Sequence, residues 1–221
     1  MKIITIALAG GKSLRMGSDK TLLELKGETL LWRTCRNAAI VSEYVYVVLH
    51  SEAQYQQAIA KISKQKFGDY LNRISVVVDV VRDGALMGFC QGIQAIAVDL
   101  DRDLPDWILL LACDLPNLQS DILQSWINQL VYLPESAIAY LPVHDRDLSR
   151  SSNNVDIHKQ KQWEPLCGFY RWKCCGSLME FMTNGGRSFQ HWLSTQHVVE
   201  IPNVASDMLF NCNTPHDFLN I

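Results

Sequence analysis

The feature that most constrains this chain is a repeated alternation of short, continuously apolar runs with longer stretches of helical spacing. The runs IITIALA (3–9), YVYVVL (44–49), ISVVVD (74–79), WILLLA (107–112) and SAIAYLPV (136–143) have the length of strands. Between them, ETLLWRTCRNAAIVSE (28–43), EAQYQQAIAKISKQKF (52–67), ALMGFCQGIQAIAVDL (85–100) and QSDILQSWINQLVYL (119–133) read as helices. In the first of these, Leu30, Leu31, Thr34, Cys35 and Ala38 recur at i, i+3 and i+4 steps. A strand that is apolar at nearly every position has both faces buried, the mark of a parallel sheet covered by helices on both sides. The pattern predicts an α/β, Rossmann-like three-layer sandwich with a mostly parallel sheet. Such sheets bind ligands outside the carboxyl ends of their strands.

The rhythm breaks once. HDRDLSRSSNNVDIHKQKQWE (144–164) is polar, without a clear period, and longer than an ordinary connection. It reads as a solvated insertion or a functional lid, and His144 and His158 within it lack metal-ligand spacing. Beyond it, EPLCGFYRW (164–172) is strand-like, CCGSLMEFMTN (174–184) and RSFQHWLSTQ (187–196) are helical, and HVVEIP (197–202) is a short strand. In the closing FNCNTPHDFL (210–219), Thr214 suits an N-cap, Pro215 the first helical position and Asp217 the third. Nothing divides the chain, so residues 1–221 are expected to form one domain.

Charge and cysteine content narrow the function. The net charge of −3 offers no global basic field for nucleic acid, so any anion must be held by a local arrangement. Seven cysteines, an odd number with no C-x-x-C, argue against a zinc site or a disulfide framework and for reduced cytosolic thiols. No apolar run approaches the ~18 residues of a membrane span. The N-terminus mimics a short signal peptide, but cleavage after Ala9 would delete the first core strand. A cytoplasmic protein is the expectation.

Four stretches carry chemistry. In AGGKSLRMGSDK (9–20) the first strand breaks into Gly10 and Gly11, and Lys12, Arg15 and Lys20 follow. The spacing is neither a Walker loop nor G-x-G-x-x-G. Its ingredients nevertheless suit a polyphosphate: glycines admit backbone N–H groups close to oxygens, Arg15 offers a fork and Lys20 a point charge. The bland alternative is an exposed basic turn. In LLLACDLPNL (109–118), Asp114 follows a buried strand, where a lone carboxylate near phosphates suits Mg²⁺ and otherwise serves a local turn. In SVVVDVVRDGALMG (75–88), Asp79 ends a strand on the same edge and binds nucleotide, or else Asp83 merely caps the next helix. In FNCNTPHDFL, Asn211 and Asn213 alternate, so both amides face one ligand in extended chain, or else they form turns.

Together LAGGKSLRMGSDKTLLELKGETLL, LLLACDLPNL, EPLCGFY and FNCNTPHDF resemble the molybdenum cofactor guanylyltransferase family, with the motifs in family order over nearly the whole chain. The resemblance implies a fold of the nucleotide-diphospho-sugar transferase type and a transfer of GMP from MgGTP to molybdenum-carrying molybdopterin, with release of pyrophosphate. It implies that Leu8, Ala9, Gly10 and Gly11 contact the nucleotide, that Arg15 and Lys20 meet its phosphates, that Asp79 binds nucleotide and that Asp114 holds Mg²⁺. Asn211 and Asn213 fall on the pterin side. Molybdoenzymes or cofactor-delivery proteins are the implied partners.

The chain departs from the family pattern in three places. Glu28-Thr29 replaces a proline-containing turn, which is expected to be neutral. Ala85 replaces the proline of a G-P-L-A-G turn, which is expected to loosen the nucleotide side. The 144–164 segment is longer than the family's connection and bears on how the pterin is approached. Two rival readings remain at this level, a cytidylyltransferase using CTP for the same cofactor and a nucleotide-binding protein without transferase activity.

Overall fold

The computed structural model describes residues 1–9, 20–60, 68–143, 163–205 and 207–212. The chain opens with strand β1 (Ile3–Leu8), buried at every position. Beyond a short 3-10 turn at Lys20–Leu22 comes a hairpin of β2 (Glu24–Leu25) and β3 (Glu28–Thr29). Its two central residues, Lys26 (φ 54°) and Gly27 (φ 80°), both occupy the left-handed region that a tight two-residue hairpin turn needs. The helix predicted over 28–43 therefore starts later, as α1 (Leu30–Val41). The Glu28-Thr29 departure has a local function here. Thr29 Oγ1 accepts the Trp32 N–H at 3.2 Å as the N-cap, and Glu28 sits 3.1 Å from the Arg36 guanidinium.

The rest follows the predicted alternation: β4 (Tyr44–Leu49), α2 (Glu52–Ala60), β5 (Ile74–Val78), α3 (Gly84–Leu100), β6 (Trp107–Ala112) and α4 (Ser120–Ile127). Helix α4 stops short of the predicted 133, and a 3-10 turn at Leu130–Tyr132 takes up the remainder. Then come β7 (Ala139–Leu141), β8 (Cys167–Arg171), α5 (Cys175–Thr183), α6 (Phe189–Leu193) and β9 (Val198–Glu200). The predicted helix that opens at Thr214 lies outside the described residues.

Among the described residues the main sheet has seven strands in the order β5-β4-β1-β6-β8-β7-β9. All run parallel except β8, which is antiparallel to both β6 and β7. Alternate side chains feed two cores. Ile3, Ala7, Val45, Val47, Leu109 and Leu111 join residues of α1 and α4 on one face. Ile4, Ile6, Leu8, Val48, Ile108 and Leu110 join residues of α3, α5 and α6 on the other. That double burial is what the continuous apolar runs required. Where α3 crosses β1 the helix presents glycines: a Cβ at Gly92 would lie 2.8 Å from Ile6 Cδ1, and one at Gly88 would lie 3.3 Å from Leu8 Cδ2. None of the seven cysteines is in a disulfide, and no described helix is long and apolar enough to cross a membrane.

Candidate active site

Four parallel strands, β1, β4, β5 and β6, end on one edge, and their carboxyl ends are stitched together. Ala9 N–H donates to the Val48 carbonyl (2.9 Å), Cys113 N–H to the Leu8 carbonyl (3.2 Å) and Asp79 N–H to the Leu49 carbonyl (2.7 Å). Strand order reverses at β1, with β4 and β5 laid on one side and β6 and β8 on the other. A doubly wound sheet opens its ligand crevice at such a reversal. The glycine-rich segment leaves from Leu8 and Ala9 on one lip, and Asp114 follows β6 on the other.

Asp114 is half-buried, and its main-chain carbonyl accepts the Cys212 N–H at 3.0 Å. A second tie, Asn117 Nδ2 to the Asp207 carbonyl at 2.9 Å, holds the same returning segment. Asn211 is thereby carried to the end of β6, next to the residue that bonds Asp114. Asp79 is 5% exposed, and its Oδ1 accepts the Arg82 N–H at 2.7 Å. Arg82 takes a left-handed conformation (φ 53°), and its guanidinium reaches the His50 carbonyl at 3.0 Å. Asp79 thus folds the turn that delivers Gly84 (φ 85°) to the start of α3. Ala85, where the family pattern has a proline, is the second residue of α3. Asp83 precedes α3 without making a side-chain cap and pairs instead with Arg187 at 3.0 Å.

Because β8 runs in reverse, its beginning lies on the same edge. Ala112 N–H donates to the Leu166 carbonyl at 2.8 Å, and Glu164 N–H to the Pro142 carbonyl at 2.9 Å. Glu164 is buried, 8% exposed, with Oε1 3.4 Å from the Leu166 amide. Burial pushes the Cys167 thiol well above its usual range, and the nearby carboxylates of Glu164 and Asp114 push it further in the same direction. Glu164 and Asp114 therefore share one electrostatic neighbourhood, and this thiol is held protonated.

The sequence matches the MobA-like NTP transferase domain family over residues 5–199. It is 39% identical over 215 residues to the "Probable molybdenum cofactor guanylyltransferase" of Trichormus variabilis, covering 97% of this chain and 88% of that one. The chain belongs to the molybdenum cofactor guanylyltransferase family of MobA-like NTP transferases. A Synechococcus elongatus protein of the same printed name is 36% identical over 218 residues, covering 99% of this chain and 97% of its own. The fold agrees with the crystal structure of molybdopterin-guanine dinucleotide biosynthesis protein A from Archaeoglobus fulgidus. The TM-score is 0.67 at 18% identity, over 98% of this chain and 95% of that one. The chain is accordingly a nucleotidyltransferase.

Of the residues expected in this MobA-like transferase, the structure brings Leu8, Ala9, Asp79, Asp114 and Asn211 to one edge. Lys20 enters the same region through the 3-10 turn that it opens. Gly10, Gly11, Arg15 and Asn213 lie outside the described residues, as does most of the 144–164 segment. Two buried polar residues at this edge had no predicted role. One is Glu164, the first residue of EPLCGFY. The other is Gln54, 6% exposed, whose Nε2 donates to the Ala9 carbonyl (3.2 Å) and to Thr21 Oγ1 (3.0 Å). Among the described residues no three His, Cys, Asp or Glu side chains cluster as a metal cage. The donor set suits a hard cation that takes one or two carboxylates and completes its shell with phosphate and water oxygens, as Mg²⁺ does.

Proposed function

We propose that the chain transfers GMP from MgGTP to the terminal phosphate of molybdenum-carrying molybdopterin, giving the guanine dinucleotide and pyrophosphate. One observation carries this reading: relatives at 36–39% identity over nearly the whole chain bear the guanylyltransferase name. In this reading Leu8, Ala9, Gly10, Gly11 and Asp79 hold the nucleotide. Lys20 and Arg15 neutralise its phosphates, and Asp114 carries the Mg²⁺. Asn211 and Asn213 face the pterin. The metal, when bound, supplies charge neutralisation at the phosphate oxygens.

The reaction needs no side-chain nucleophile. A phosphate oxygen of molybdopterin attacks the α-phosphorus of GTP, a new P–O bond forms, and the bond from the α-phosphorus to the bridging oxygen breaks as pyrophosphate leaves. The protein's contribution is position and charge. Cys35 and Cys90 are unsuited to compete, since burial pushes Cys35 up to about 12 and Cys90 up to about 11. The test is turnover of the purified chain with molybdenum-loaded molybdopterin and either MgGTP or MgCTP, with thermal unfolding measured alongside. The expected result is dinucleotide and pyrophosphate from GTP. GTP at ~100 times its dissociation constant should also stabilise the protein by about 2.7 kcal/mol. Preference for CTP would reassign the base, and binding without transfer would make the chain a nucleotide-binding protein.

A further inference from the structure

We propose that Gln54 is a positioning residue for the phosphate site, its side-chain amide tying Ala9, where the glycine-rich segment departs, to Thr21, which follows Lys20. Gln54 lies in the first turn of α2 and is buried at 6% exposure. Its main-chain N–H donates to Ser51 Oγ at 3.2 Å, and its Oε1 accepts the His50 N–H at 3.2 Å. These two bonds form a helix start of the S-x-x-Q kind, in which serine and glutamine satisfy amide groups at the helix end. A glutamate would serve that purpose equally well. The amide nitrogen does something else. Its two protons go to the Ala9 carbonyl and to Thr21 Oγ1, 45 and 33 residues away in sequence.

The amide's orientation is fixed by its neighbours. A main-chain carbonyl can only accept and a main-chain N–H can only donate, so the nitrogen must face Ala9 and the oxygen must face His50. The reverse setting would oppose oxygen to oxygen and N–H to N–H. Both ends of the glycine-rich segment therefore share one nitrogen. Ala9 is also bonded to β4 through its N–H at 2.9 Å, so Gln54 anchors the segment's exit to a point already fixed by the sheet. The tie fixes Ala9 and Thr21 relative to one another before a nucleotide binds. The consequence for GTP rests on the proposed reading of residues 10–20 as the phosphate-binding segment. The tie itself rests on these bonds alone.

The experiment compares Gln54→Met, which keeps length and volume, with Gln54→Glu, which keeps the acceptor for His50 but loses both donors. Thr21→Val is studied alone and combined with Gln54→Met. Gln56→Met, at an exposed position where the side chain donates to Glu52 at 2.9 Å, is the control. Readouts are the dissociation constant of MgGTP, KM against kcat, and amide hydrogen exchange of peptides covering residues 9–22. We expect Gln54→Met and Gln54→Glu each to weaken MgGTP binding about tenfold. KM should rise more than kcat falls, and exchange over 9–22 should quicken with the rest of the fold unchanged. Thr21→Val should show a smaller defect that is not additive with Gln54→Met, and it decides the matter if the position-54 variants do not fold. Folded position-54 variants with wild-type GTP affinity and exchange would overturn the proposal and leave the guanylyltransferase reading intact. If the wild type binds no GTP, that reading fails. The exchange data then still decide whether Gln54 ties the two ends together.

Discussion

At the scale of single residues, Asp114 and Lys20 are separable by how they respond to metal. Asp114→Asn keeps shape and polarity at the end of β6 but loses the negative charge that Mg²⁺ favours. Lys20→Ala removes a positive charge from the phosphates. Each folded variant is expected to lose about a hundredfold in turnover, ~3 kcal/mol of transition-state stabilisation. Raising Mg²⁺ should partly restore Asp114→Asn by mass action and leave Lys20→Ala unchanged. A Mg²⁺ titration of turnover, with circular dichroism as the check on folding, reads the difference, and near wild-type rates in both would place the chemistry elsewhere. Asp79 and Asp114 were legible in the sequence because each directly follows a continuous apolar run, and such runs end on the ligand edge of a parallel sheet. Gln54 was not. S-E-A-Q reads as a helix start, and nothing local reveals that the same amide reaches Ala9 and Thr21. Glu164 was hidden for a related reason, since its place beside the site depends on β8 running backwards.

At the scale of elements, the crossing of α3 over β1 makes a prediction that helix propensity alone gets wrong. Gly92→Ala should gain ~1 kcal/mol from propensity. It should still be destabilising on balance, because the new Cβ would meet three atoms of Ile6 at 2.8, 2.9 and 3.1 Å. Ile6 is fully buried and branched at Cβ, so it cannot swing aside, and overpacking of this kind typically costs about 1–3 kcal/mol. Gly88→Ala meets only Leu8 Cδ2 at 3.3 Å and Val48 Cγ1 at 3.6 Å and should be the milder change. Urea unfolding of the two variants orders them, and a more stable Gly92→Ala protein would show that α3 can slide on the sheet. The strand positions were legible because continuous apolar runs have few other uses. The β2–β3 hairpin was not, because strands of two residues fall below any periodicity. The direction of β8 was not either, because a hydropathy pattern carries no sense of direction.

At the scale of the whole molecule, the long polar segment is closed off at its base. Val143 and Trp163 form an antiparallel bridge, and Glu164 N–H bonds the Pro142 carbonyl. Replacing residues 146–160 with a short glycine-serine linker should therefore leave the fold and the GTP dissociation constant nearly unchanged, while use of the pterin substrate weakens. Titration calorimetry with GTP checks this, and a folded deletion that no longer binds GTP would make the segment part of the nucleotide site. The strand order has a consequence in time as well as in space. β1 is the third strand of seven and needs both neighbours, and on one side its partner is β6, in a register that sets Ile3 against Trp107. At ~5–20 residues per second, a ribosome takes on the order of 5–20 s to pass from one to the other. Throughout that interval β1, buried at every position in the finished fold, has one open edge, which makes the early chain a natural client for whatever shields unfinished sheets.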